Sequence, residues 1–177
     1  MNDIDLEEKL RRWDGKHTNY LIAIYQQQVY DSAFVDAIIQ LYLKHIELQS
    51  ATTWIIKHFV DNGNKLNQAQ IDKILSEVNM LEHWEAQLHI LQLIPQFQVS
   101  TKNAESVEPF VREKLTSEKK FVKAAAYEAY YEIVKVYTAL ANEFRILCEE
   151  ALANESASVR AKVRKIYAKM TASTNLG

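Results

Sequence analysis

Apolar residues along the chain recur at intervals of three and four rather than two. Phe34, Val35, Ile38, Ile39, Leu41, Tyr42 and Ile46 make one wide helical face. Ile71, Ile74, Leu75 and Val78 make a second, and Leu88, Leu91 and Ile94 a third. The rule returns in Val107, Phe110, Val111 and Leu115, then in Val159, Val163, Ile166, Tyr167 and Met170. The breaks between these faces carry start and stop signals. Asn67 precedes Gln70 by three and Asn79 precedes Glu82 by three. That is the spacing of a capping box, in which each side chain satisfies an orphan backbone amide of the first turn. Ser117, Thr138 and Ser156 stand where further helices should begin, and Gln98–Asn103 is a polar break. Gly15 and Asp61-Asn62-Gly63-Asn64 read as helix stops. Pro95 should close a helix, while Pro109 either occupies a first turn or kinks a helix starting near Asn103. The pattern predicts ten helices, at about 3–13, 17–30, 32–46, 49–61, 67–78, 80–95, 104–116, 118–137, 139–153 and 157–170. Short connections should make sequential helices antiparallel.

Composition agrees. Three glycines and two prolines in 177 residues exclude a Gly-rich phosphate loop and disfavour hairpin-rich β folds. A hydrophobic share of 48% supplies a core. Net charge is −2, so no global field attracts nucleic acid or membrane. The balance is uneven, with 8 basic and 13 acidic residues over 1–99 against 13 and 10 over 100–177. Lone Cys148 can form no internal disulfide. The acidic opening Met1–Glu8 lacks the apolar run of a secretory signal, and no stretch is apolar enough to span a bilayer. A cytoplasmic location is expected.

Three helix openings superpose: Trp84-Glu85-Ala86-Gln87-Leu88, Val122-Lys123-Ala124-Ala125-Ala126 and Val159-Arg160-Ala161-Lys162-Val163, at spacings of 38 and 37. Thr52-Thr53-Trp54-Ile55-Ile56 fits about 32 residues upstream of the first. Such a period with two helices per unit is a solenoid signature, because one helix pair cannot cover its own apolar faces. The chain resembles HEAT-like repeats of the armadillo-type superhelix. The resemblance is strongest in Leu152…Ser158-Val159-Arg160-Ala161-Lys162-Val163-Arg164 and Leu115…Phe121-Val122-Lys123-Ala124-Ala125-Ala126, fair over 67–95 and weak over 1–61. It implies an all-α superhelix of about five helix pairs in a single domain, 1–177. Residues 1–30 would be a divergent N-terminal cap and 156–170 a C-terminal capping helix. HEAT repeats often place an aspartate six residues before the Val-Arg arginine, where it ladders between repeats. Asn154, Ser117 and Asn79 stand there instead, and can cap a helix without making a charge ladder.

No catalytic set assembles in the sequence. No HExxH or HExxE occurs, so neither a metal nor another cofactor is expected. Two acids beside Cys148 would raise its thiol pKa, and a structural role is favoured. Tyr127, Tyr130, Tyr131 and Tyr137 crowd one helix beside Phe121; packing is favoured over a stacking platform. The final helix carries Arg160, Lys162, Arg164, Lys165 and Lys169 with no acid between Ser156 and Met170. It is either a solvated cap or a patch for an anionic partner.

In this architecture the second helix of each pair lines the inner surface. Aligning the repeats sets Lys57, His89, Tyr127 and Arg164 in one column and Thr53, Glu85, Lys123 and Arg160 in the next. The first column with Trp54 is the predicted contact ridge, although Tyr127 and His89 could instead pack between repeats. The expected function is a non-catalytic, monomeric scaffold binding a protein or peptide. The alternative is a nucleic-acid binder related to HEAT-like alkylpurine DNA glycosylases, which use tryptophans and an aspartate around the lesion. Of Trp13, Trp54 and Trp84, only Trp13 has an adjacent aspartate, Asp14, and the acidic first half disfavours that reading. HEAT-like phycobilin lyases are similar too, but nothing marks a tetrapyrrole pocket.

Overall fold

The structure is a computed structural model that describes residues 3–174. Ten α-helices appear in the expected order: α1 (Asp3–Arg11), α2 (Thr18–Gln28), α3 (Phe34–Lys44), α4 (Gln49–Asp61), α5 (Gln68–Ser76), α6 (Trp84–Leu93), α7 (Thr101–Lys114), α8 (Lys120–Val136), α9 (Ala141–Asn154) and α10 (Ala157–Thr174). No strand occurs among the described residues. Contacts divide the chain into two compact units, residues 1–93 and 94–177.

Helix boundaries follow the local chemistry in most places. Asn67 and Gln70 form the predicted capping box at α5. Gly15 and Gly63 take positive φ, 77° and 85°, the conformation that leaves a helix cheaply only at glycine. Pro95 falls in a one-turn 3-10 helix directly after α6. Pro109 lies inside α7, which starts at Thr101. It is exposed, and so is Glu105, whose carbonyl loses the amide that proline lacks.

Some starts differ from expectation. Asn79 caps nothing: it sits in a 3-10 turn, Val78–Met80, and α6 begins at Trp84. The Glu82 amide donates to Gln49 Oε1 at 3.1 Å, a partner 33 residues away. Ser100 builds a capping box with Asn103 at α7. Ser117 accepts from the Lys119 amide in the turn before α8, two residues short of the cap position. Thr138 opens a 3-10 turn, and α9 has no side-chain cap.

Each unit is cross-linked by side-chain hydrogen bonds at a recurring sequence separation. In unit 1, Arg11–Glu47 spans 36 residues, Tyr42–Ile74 32, Asp36–Gln70 34, Gln49–Met80 31 and Thr53–His89 36. In unit 2, Arg112–Glu143 spans 31, Lys123–Glu155 32 and Glu128–Lys162 34. These bonds tie α3 to α5, α7 to α9 and α8 to α10. Apolar side chains fill the layers beneath: Phe34, Ile38, Ile55, Ile56, Ile74 and Ile90 in unit 1, and Val107, Val111, Tyr130, Ile133, Phe144 and Val163 in unit 2, all at most 1% exposed.

Candidate functional site

The predicted ridge residues of unit 1 lie together where α4 packs on α6. Helical spacing puts Ser50, Trp54, Lys57, His58 and Asp61 on neighbouring stripes of α4. Trp54 stacks on His58, ring centroids 4.8 Å apart and planes at 15°. His58 meets Tyr25 of α2 edge-on at 4.7 Å. Burial holds the His58 pKa below its ordinary value. Lys57 is paired with Asp61 one turn on.

Thr53 is fully buried and governs His89. Its hydroxyl lies 2.6 Å from the Gln49 carbonyl, the closest acceptor, and donates there. With that proton committed, Thr53 Oγ can only accept from His89 Nδ1, 3.0 Å away. His89 is thus the Nδ1–H tautomer, with Nε2 left as an acceptor. Burial, reinforced by Lys57 and opposed by Asp61, lowers its pKa to about 4. No partner for His89 Nε2 or for the Trp54 indole N–H occurs among the described residues. The face therefore offers one free acceptor and one free donor. His89 contacts Thr53, one turn before Lys57 on α4, and also feels the Lys57 charge.

The unit 2 ridge residues are differently placed. Tyr127 is 5% exposed, with its hydroxyl 3.5 Å from the Leu147 carbonyl. Burial and neighbouring Cys148 push its pKa up to about 12. It offers little surface to a partner. Arg164 is exposed on α10. Of the other α10 cations, Lys162 is neutralised by Glu128 at 2.8 Å, whereas Lys165 and Lys169 are exposed. Arg160 is part-buried, and its Nε has no hydrogen-bond partner. The tyrosine helix divides: Tyr130 is fully buried, Tyr137 is 40% exposed, and Phe121 is 74% exposed rather than packed.

Several groups that the sequence did not mark are structurally prominent. Arg112 of α7 holds Glu143 of α9 through two nitrogens, at 2.5 and 3.0 Å, and holds Glu108 through Nε. The Tyr130 hydroxyl completes the knot by donating to Glu108 at 2.7 Å. Gln49, 3% exposed, clamps the turn before α6 by donating to the Met80 carbonyl and accepting from the Glu82 amide. A cleft of about 400 Å³ in unit 1 is lined by Leu10, Arg11, Trp13, Gly15, Glu47, Leu48, Ser50, Ala51, His83 and Glu85.

Asp14 is committed locally. One carboxylate oxygen accepts from the Lys16 and His17 amides at 2.9 Å and the other meets His17 Nδ1. These bonds hold its pKa far below the usual carboxylate range. No group of three or more His, Cys, Asp or Glu able to hold a metal ion occurs among the described residues. No helix there is long and apolar enough to cross a membrane. In comparisons with known proteins, no family model, no curated protein and no solved structure matches the chain.

Proposed function

We propose that the chain is a short HEAT-like solenoid of the armadillo type, about five helix pairs long, which acts as a non-catalytic module. It holds a peptide or protein segment on the face of its second helices. The cross-links at 31–36 residues support the repeat reading, because they lie close to the 32–38-residue period of the sequence. The observation that carries the binding reading is the α4–α6 face. There a free indole donor and a free imidazole acceptor stand over a rigid, hydrogen-bonded base. An extended segment has the complementary pair in its backbone carbonyl and amide. The nucleic-acid alternative draws on α10, since the Asp14 carboxylate is tied to its own loop.

Selection of random displayed peptides on the intact chain tests this reading. Sequences should be enriched by the wild type and lost with a Trp54→Ala/His89→Ala variant that keeps its helicity. Peptides retained equally by the variant would place binding elsewhere.

A further inference from the structure

The cleft of unit 1 continues the α4–α6 face. Ser50 lies one turn before Trp54 on α4 and Glu85 one turn before His89 on α6, so both pairs share a helix side. Ser50 and Glu85 line the cleft. A segment lying over Trp54 and His89 would therefore reach the cleft with its next side chains.

Three features of the cleft select for charge and shape. Its floor and sides include Leu10, Leu48 and Ala51, which suit a chain of methylenes. The half-buried Trp13 supplies an aromatic wall, fixed by its indole N–H donating to the His17 carbonyl at 3.1 Å. An indole face attracts an organic cation more strongly than the other aromatic rings do. The third feature is an excess of carboxylate. Arg11 lines the cleft, but it is saturated by Glu47, which also lines it, and by Glu7 outside it, each at 2.7 Å, so its charge is not free for a ligand. Glu85 has no partner among the described residues and leaves the lining at net −1. The surrounding sequence agrees: residues 1–93 hold 8 basic and 13 acidic side chains.

From this geometry we infer that the cleft is a pocket for a single arginine or lysine side chain of the bound segment, with its methylenes on Leu48 and Ala51, its cation against Trp13 and its N–H groups on Glu85. The inference rests on the peptide-binding reading and narrows it to basic segments. Glu85 is the specificity residue, since Glu47 is already shared with Arg11.

The test uses the full chain and two small probes, N-acetyl-arginine-N-methylamide and its neutral glutamine analogue. Binding is followed by NMR at the Trp13 indole N–H and the Leu48 methyls. The arginine probe should shift both signals saturably in the millimolar range, and the glutamine probe should not. Glu85→Gln should weaken the arginine probe about tenfold, as expected for loss of a charge-assisted hydrogen bond. Glu85 lacks a partner in the fold, so this variant should keep wild-type stability. Equal shifts with both probes, no shift at Trp13, or unchanged affinity in Glu85→Gln would overturn the inference. If selected peptides still bind at Trp54 and His89 in that event, the broader reading survives and only the pocket is lost.

Discussion

Lys162 Nζ donates to Glu128 Oε2 at 2.8 Å, joining α10 to α8 across 34 residues. The pair bridges two helices that are not consecutive in the chain. Its side chains are 37% and 40% exposed, so water screens it. A double-mutant cycle with Lys162→Gln and Glu128→Gln, read by urea denaturation, should give a coupling below about 1 kcal/mol. A larger value would mean that the pair is far better desolvated than its exposure indicates.

The Arg112 knot should matter more. Removing Arg112 leaves Glu108 (16% exposed) and the buried Tyr130 hydroxyl without their cation. Arg112→Ala should destabilise the chain by roughly 2 kcal/mol. Tyr130→Phe, which deletes one hydroxyl but keeps the ring beside Phe144, should cost about half as much. Urea midpoints in the reverse order would contradict this apportioning.

Gln49 is a buried clamp. Gln49→Leu preserves volume but orphans the Glu82 amide and the Met80 carbonyl, and should cost about 1–3 kcal/mol. Amide hydrogen exchange at Glu82 should rise in step. A variant as stable as wild type would show that water replaces both bonds.

Acid should weaken the fold through His89. Its folded pKa, near 4, lies below the unfolded value of 6.5. Above pH 6.5 the ring is neutral in both states and nothing is lost. Between 6.5 and 4 the unfolded chain takes up a proton that the folded chain resists, so stability falls with pH. The groups acting on the ring are Lys57, which disfavours the proton, and Asp61, which favours it. His89→Gln should flatten this part of the pH–stability profile; an unaltered slope would assign the effect elsewhere.

Cys148 is buried, and burial aided by Glu149 pushes its thiol up to about 12. It should resist maleimide in the native chain at pH 7.5 and react at once in 6 M guanidinium. Rapid native labelling would reveal a local opening of α9.

The helices were legible because apolar periodicity and local chemistry agreed. Asn67 and Gln70 settle their own cap within four residues. Asn79 and Glu82 show the same spacing and fail, because Gln49 takes the Glu82 amide from another helix. Ser100 was hidden for the opposite reason: its box partner is Asn103, not the Glu or Gln that the usual pattern requires. The all-helical order was readable, but the bonds between helices were not. They depend on which faces meet, as in the contact pair Thr53–His89. The cleft could not be anticipated either, since Trp13, Glu47 and Glu85 come from three separate segments.

The regular spacing of these bonds also bears on how the molecule is made. Once Ser76 has left the ribosome, both partners of Tyr42–Ile74 and of Asp36–Gln70 are present. Nothing synthesised later is needed for α3 and α5 to find each other. Contacts of this kind let α3 and α5 begin to pair before the rest of the chain is made.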